Sequence, residues 1–480
     1  MNNTAASHAI DPNAIVADIW HAAGLPQHAL QRLVLTGHDP ALPSSFAVGT
    51  AAQASLAAAA LAATQVGQHR NGLRQKVSVD MRHAALECCG RFTVDGRTPE
   101  LWDRIAGLYA CGRNGSEGWV RLHTNFEHHR DGVLRLLGLL PGAETPREAV
   151  VQALQGWTAL DFEDAASRAG LVVAAVRTMD EWDRHPQSAA VAGHSLVDFE
   201  KIGEARPLAW PDLPLAVRPL HGMRVLDLTR ILAGPVGGRT LAAYGAEVML
   251  VNSPHLPNIE AIVDTSRGKL SALADLTTAE GRTGLQAVLR DAHVFMQGYR
   301  PGALAALALG PEELAEARPG IVIVSLSAYG ETGPWAGKRG FDSLVQTATG
   351  LNHAEARVAG SAQPLALPMQ ILDMATGFLM AFGAQAALLR QRAQGGSWHV
   401  RVSLARTAQW LRSLGRVEHG FDAPAADFSG VMQAYPSGYG ALVATRHAAQ
   451  FSHTPAGWER PSAPPGSHAL AWPSLARQPH

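Results

Sequence analysis

Between residues 221 and 326, short apolar runs alternate with longer amphipathic stretches. Residues 224–228 (Arg-Val-Leu-Asp-Leu) read as a buried strand, 229–235 as a loop, and 236–244 as a helix closed by Gly245. A strand at 247–251, a helix at 279–291 and strands at 293–296 and 321–326 follow. Strands that are apolar throughout and separated by helices predict a parallel sheet covered on both faces. The expected fold is therefore α/β: an open, doubly wound, mostly parallel, Rossmann-like sheet with a smaller α+β domain. The smaller domain is read from residues 91–205. There, 118–123 and 171–176 read as strands, and 158–169 as an amphipathic helix ended by Gly170.

An internal repeat crosses this plan. Asp373 lies 323 residues after Thr50, and the stretches around the two positions align without a gap. Gly72 meets Gly395, Val77 meets Val400, and Val79 meets Val402. Each copy predicts an Ala/Leu-rich helix, a glycine turn, a strand and another helix. Only the second copy carries an acid at the start of its helix.

The organisation read from these patterns has five parts. Residues 1–46 are an N-terminal segment. Residues 47–205 hold the first repeat copy and the small domain. Residues 206–219, with Pro207, Pro211, Pro214 and Pro219, are a linker. Residues 220–413 are the large domain, and 414–480 a Gly/Pro-rich segment whose end, from about Pro461, is expected to be a surface arm or disordered.

Composition narrows the function classes. The chain has 480 residues, 47% of them hydrophobic and 17% charged, with 40 basic and 41 acidic residues. No basic excess points to nucleic acid. Cys88, Cys89 and Cys111 form neither a disulfide framework nor a metal pattern, so a reducing, cytoplasmic setting is expected. Residues 1–6 carry no cationic leader pattern, and the apolar stretch near 54–63 is Ala-rich and short of a bilayer span, so no membrane association is expected.

Asp373 stands just ahead of the second Ala/Leu-rich helix, in Gln370-Ile371-Leu372-Asp373. Two readings stand: an N-cap, or a carboxylate nucleophile for acyl chemistry. The 230–235 loop lacks GxGxxG, which disfavours nicotinamide but leaves a phosphate-bearing ligand at the helix start. Arg300, before Pro301-Gly302 at a strand end, is either a phosphate or pantetheine contact or a solvated turn residue. Ser266-Arg267-Gly268-Lys269 puts two cations on a turn expected to be flexible; it suits a polyphosphate or is an exposed basic loop. The aromatic, turn-rich stretch 327–335 reads as a site wall, and Asp342 as the cap of the helix after it. His123, His128 and His129 lack metal-ligand spacing and are read as packing or surface residues. No GxSxG elbow is evident.

Several stretches together resemble the family III CoA-transferases (the CaiB/BaiF group). They are residues 219–230, Ala233-Gly234-Pro235, Tyr244-Gly245-Ala246-Glu247-Val248, Arg267-Gly268-Lys269, Asp275-Leu276 with Glu280-Gly281-Arg282, Tyr299-Arg300-Pro301-Gly302, Tyr329-Gly330 with Thr332-Gly333-Pro334, and Phe341-Asp342. The resemblance implies that family's fold and a transfer of CoA from an acyl-CoA to a carboxylic acid. Asp373 falls at the family's catalytic aspartate and would form an aspartyl anhydride and then an aspartyl-CoA thioester. Arg267, Lys269, Tyr299, Arg300, Ala233 and Gly234 become the implied contacts to coenzyme A, with acyl-CoA and carboxylate as the small-molecule substrates and no metal. Residues 47–205 look like the family's second half placed first, so the domain order is fused or permuted. Since family subunits interlock in pairs, a homodimer or a hetero-oligomer with another family member is the implied assembly. The chain departs from the family pattern at Asn252, at Ser266-Arg267 and at Gln297-Gly298, and has Phe341 where related racemases carry a histidine base. Two alternatives follow: an acyl-CoA racemase or isomerase on the same scaffold, or a catalytically weak CoA-binding partner subunit. The transferase reading expects the Asp373 carboxylate to be ionised, at the mouth of a coenzyme cleft.

Overall fold

A computed structural model describes residues 10–473. Its centre is a seven-stranded sheet: β1 (Asp198–Gly203), β2 (Arg224–Leu228), β3 (Glu247–Asn252), β4 (Lys269–Leu273), β5 (Val294–Gln297), β6 (Val322–Ser327) and β7 (Ser397–Ser403). The strand order is β4-β3-β2-β5-β6-β7-β1. All neighbours run parallel except β1, which closes one edge antiparallel to β7. The inner strands are buried on both faces, as their unbroken Val, Ile and Leu runs require. The chain reverses its direction of winding between β2 and β5. In open α/β sheets that point leaves a crevice at the strand carboxyl ends, where ligands bind.

The helix after β2 runs Ala233–Ala243, so it begins three residues earlier than the loop expected over 229–235 allows. Pro235 is its third residue. Proline is tolerated in a first turn, where its missing N–H has no helical partner to lose. Gly237 and Gly238, odd choices for a helix, are required by close approach. A Cβ on Gly237 would sit 2.9 Å from the Gly377 carbonyl oxygen, and one on Gly238 would sit 2.2 Å from the Asp227 carboxylate.

The repeat is present in three dimensions. The helices Val48–Asn71 and Ile371–Gln394 each have 24 residues, begin at equivalent positions, and pack against each other. Gln385 of the second donates to the Ala59 carbonyl of the first at 3.0 Å. Each leads to a strand that ends on a helix-capping side chain. Asp80 caps the helix Met81–Cys88, and Ser403 caps Leu404–Ser413. In each copy a parallel strand flanks this one: Leu33–Thr36 pairs with Val77–Asp80 as β6 pairs with β7. Ile371–Gln394 is long and apolar enough to cross a membrane (mean hydropathy 1.4), but its apolar window is entirely buried within the protein. The apolar reading at 54–63 overlooked this helix because its alanines and glycines dilute the signal.

The small domain is an antiparallel sheet of Gly107–Ala110, Trp119–Leu122 and Val173–Ala175 around its own core of Tyr109, Val120, Leu122 and Phe162. It docks on the short helix Asp342–Ala348 of the large domain. The C-terminal segment folds back over the large domain. Its hairpin Met432–Tyr435 and Leu442–Thr445 joins the strand Phe92–Val94, and Ala449–Phe451 adds to Val77–Asp80. Past Pro461, the Trp472 indole donates to the Val288 carbonyl at 2.8 Å and His468 accepts from the Ser271 N–H at 3.1 Å. That stretch is therefore packed rather than a free arm; residues 474–480 lie outside the described residues.

Candidate active site

Asp373 is the third residue of its helix, and Gln370 holds the cap position. The capping reading therefore fails: among the described residues the Asp373 carboxylate accepts no hydrogen bond, although the residue is only 8% exposed. Its backbone N–H donates to the Asp342 carboxylate at 2.8 Å. Asp342 does not cap its own helix either. It reaches across to this second helix start and also accepts from the Gln346 amide at 2.6 Å. Gln346 in turn receives the Leu367 N–H and the Asn352 amide, which fixes its orientation.

Two buried carboxyl groups so placed oppose each other's ionisation. Burial pushes Asp342 up to about 7, against the Asp373 N–H, the Gln346 amide and the Arg121 charge. Burial first, and then the Asp342 charge, push Asp373 well above the usual carboxylate range. Against the expectation of an ionised carboxylate at the mouth of a cleft, Asp373 is mostly buried and its ionisation is opposed. The cause is burial, followed for Asp373 by the neighbouring Asp342 charge.

One turn beyond Asp373 on the same helix face, Gly377 lets the helix Ala233–Ala243 approach. A Cβ there would lie 2.4 Å from the Ala233 carbonyl oxygen. Ala233 and Gly234 are thereby brought beside the Asp373 helix. The loop entering them is strained: Ile231 has a φ of 76°, uncommon for a β-branched residue. Ile231, Arg230, Asn252 and Asn258 line a narrow cleft at the ends of β2 and β3.

Tyr299 and Arg300 follow β5 as expected. Arg300 borders a cavity of about 110 Å³ with Gln297, Ser325, Glu331 and His399. Neither this cavity nor the cleft beside Ile231 is lined by Asp373. Tyr299 lies close enough to Arg230 for that charge to oppose the upward push of burial on its phenol. Arg339 is lowered by burial and by Arg300, and exposed His128 by burial and by Arg339 and Arg230. Arg230, Arg300 and Arg339 thus form a group of cations, with His128 held toward its neutral form beside them, a setting that favours an anion. The sequence reading singled out Arg300 alone as a cation here. Arg230 lay within a quoted motif, and Arg339 carried no local signal.

Arg267 and Lys269 do not form a flexible basic turn. Lys269 is fully buried and donates to Asp227 at 2.9 Å and to the Pro235 carbonyl at 2.8 Å. Arg267 is paired with Asp264, donates to the Thr445 carbonyl at 3.1 Å, and lies 4.0 Å from the centre of the Trp458 ring. Thr445 and Trp458 come from the C-terminal segment, too distant in sequence to be anticipated. Both cations are satisfied internally, as buried charges must be, and do not face solvent; Lys269 braces the first turn of the helix Ala233–Ala243 from behind.

His123 and His129 are buried packing residues and His128 is exposed. The His123 ring stacks on Phe341 with 4.0 Å between centres, and burial, with Arg121 and His129, lowers it to about 3. The small domain therefore forms a wall of the region that holds Asp342 and Asp373.

Residues 220–419 match the family model described as CoA-transferase family III. That segment belongs to CoA-transferase family III. The chain is 28% identical over 368 residues to an acyl-CoA transferase of Gibberella moniliformis, covering 68% of this chain and 64% of that protein. It is 31% identical over 210 residues to a probable fatty acyl-CoA transferase of Mycobacterium tuberculosis (41% of this chain, 53% of that protein). It is 32% identical over 212 residues to a succinate–glutarate CoA-transferase of Agrobacterium fabrum (40% and 52%). The chain thus spans less than two-thirds of the length of these relatives. Among solved structures, a CaiB/BaiF family protein from Brucella suis is 27% identical, with 41% of this chain and 56% of that one covered and a TM-score of 0.37.

Proposed function

We propose that the chain is a CoA-transferase that moves CoA from an acyl-CoA to a carboxylic acid, with Asp373 as nucleophile. The observation that carries this is the buried Asp373 carboxylate with no hydrogen-bond partner among the described residues, at a helix start inside the family-matched segment. A mostly buried carboxylate whose oxygens keep contact with solvent rather than with a protein donor is placed to meet an incoming acyl group.

In this reading an Asp373 oxygen attacks the thioester carbon and the CoA thiolate leaves, which forms a mixed anhydride. The thiolate then attacks the Asp373 acyl carbon, releasing the donor's carboxylate and leaving an aspartyl-CoA thioester. The acceptor carboxylate attacks that carbon, displacing the thiolate, and the thiolate then attacks the acceptor's acyl carbon to release the new acyl-CoA and free Asp373. Arg230, Arg300, Tyr299 and the helix start at Ala233-Gly234 are the proposed CoA contacts. Lys269 holds that helix start in place through the Pro235 carbonyl. Asp373 borders neither the cavity beside Arg300 nor the cleft beside Ile231.

A proton-exchange reading draws on one observation, the neutral His123 imidazole stacked over Phe341. One assay separates the two: an acyl-CoA and free carboxylic acids in deuterated water. Transfer predicts a new acyl-CoA with no deuterium at the α-carbon; deuterium incorporation without transfer would replace the proposal.

A further inference from the structure

We propose that Arg121, carried by the small domain, is the group that recognises the carboxylate of the acyl acceptor; this rests on the transferase reading above. Four arginines are less than 9% exposed among the described residues: Arg121, Arg177, Arg239 and Arg267. Arg177 is hydrogen-bonded to Glu163, Arg239 to Asp264 and Glu87, and Arg267 to Asp264. Arg121 differs from all three. It is 7% exposed and makes no hydrogen bond at all among the described residues; its Nε is enclosed without a partner, as that of Arg239 also is, but Arg239 pairs through its terminal nitrogens.

Its position is defined from three sides. Arg121 lies on the strand Trp119–Leu122, which packs against the helix Asp342–Ala348. The Trp102 ring covers the guanidinium, with 5.4 Å between its centre and the Arg121 Cζ. Two residues further along the same face of the strand direction, His123 stacks on Phe341. Asp342 is the acid that couples to Arg121, yet its hydrogen bonds go to the Asp373 N–H and to Gln346. The fork of N–H donors is therefore left for an acceptor that the chain does not supply. A planar two-oxygen anion fits such a fork. Each carboxylate oxygen has a further lone pair beyond the one the fork engages, so a held carboxylate can still attack the aspartyl thioester.

The test is calorimetric titration of the full chain with succinate as the probe. The wild type, Arg121→Lys, Arg121→Gln and Asp373→Asn are compared, and thermal melts check that each is folded. Expected are similar binding by the wild type and Asp373→Asn, weaker binding by Arg121→Lys, and a loss of roughly tenfold or more for Arg121→Gln, the size of one charge-assisted hydrogen bond. Arg121→Gln binding succinate as the wild type does, or no binding by the wild type, would overturn the proposal. The outcome is separable from that of the transferase reading. Arg121-dependent succinate binding without acyl chemistry at Asp373 would sink the transferase and leave the carboxylate site. Acyl chemistry at Asp373 with succinate binding indifferent to Arg121 would do the reverse.

Discussion

The helices Val48–Asn71 and Ile371–Gln394 are two versions of one element that end in different chemistry. Their cap residues, Ala47 and Gln370, share a conformation (φ −75°, ψ 59° and φ −80°, ψ 63°), and neither has a side-chain cap. In both, an aspartate from a preceding segment accepts the N–H of the third helical residue. Asp39 does so for Thr50 at 2.9 Å, and Asp342 for Asp373 at 2.8 Å. In the first copy the side chains also satisfy each other, because the Thr50 hydroxyl donates to Asp39 at 2.7 Å. In the second, a carboxylate replaces the hydroxyl and cannot donate once ionised, so it is left facing another acid. The first site is complete as it stands, whereas the second is completed only by a proton or a substrate. On a shared backbone, the change from Thr50 to Asp373 turns a closed hydrogen-bonded joint into an acid pair.

The largest effect should come from erasing that difference. Asp373→Thr should fold as the wild type does and lose CoA transfer by about 10³-fold or more, measured as acyl-CoA exchange. Transfer surviving at a tenth of the wild-type rate would place the nucleophile elsewhere. A second difference lies one turn on, where Gly377 corresponds to Ala54. Gly377→Ala should cost roughly 1–3 kcal/mol in urea unfolding, since its Cβ would meet the Ala233 carbonyl at 2.4 Å, and should also weaken CoA binding. Unchanged stability would mean that the two helices do not cross as closely as described.

The acid pair gives a pH signature. Both carboxyls are raised, so the folded chain holds protons that the unfolded chain has released. Stability from the pair is full below the ordinary carboxylate value of about 3.9 and is lost as pH rises through about 7. A nucleophilic Asp373 must lose its proton, so transfer should rise with pH over the pair's apparent values. Asp342→Asn removes the opposing charge while keeping an oxygen to accept the Asp373 N–H. The rising limb of the rate profile should then move to lower pH. An unmoved limb would uncouple the two acids. The smallest effect belongs to the first copy. Thr50→Val should cost about 1 kcal/mol, the usual size of one hydrogen bond, and leave transfer unchanged.

What the sequence disclosed follows from distance along the chain. The sheet was legible because each strand is a local apolar run, and the repeat because Gly72/Gly395 and Val77/Val400 preserve their spacing. Asp373 was legible from its neighbours. The start of the helix at Ala233 was not, because Pro235 and the glycines look like loop until the Gly377 and Asp227 contacts are seen. Arg267 and Lys269 were misread for the same reason: Trp458 and Thr445 roof Arg267 from far along the chain, while Asp227 meets Lys269 through the fold of the sheet. Arg121 gave no signal at all. Its character lies in lacking a partner, and a linear pattern cannot show an absent contact.

The most direct measurement is chemical trapping of the intermediate. The full chain would be incubated with a panel of acyl-CoAs, quenched with hydroxylamine, and its peptides mapped by mass spectrometry. Conversion of the Asp373 carboxyl to its hydroxamate, dependent on acyl-CoA, is the result expected here. A hydroxamate at another residue, or none with any donor, would contradict the account.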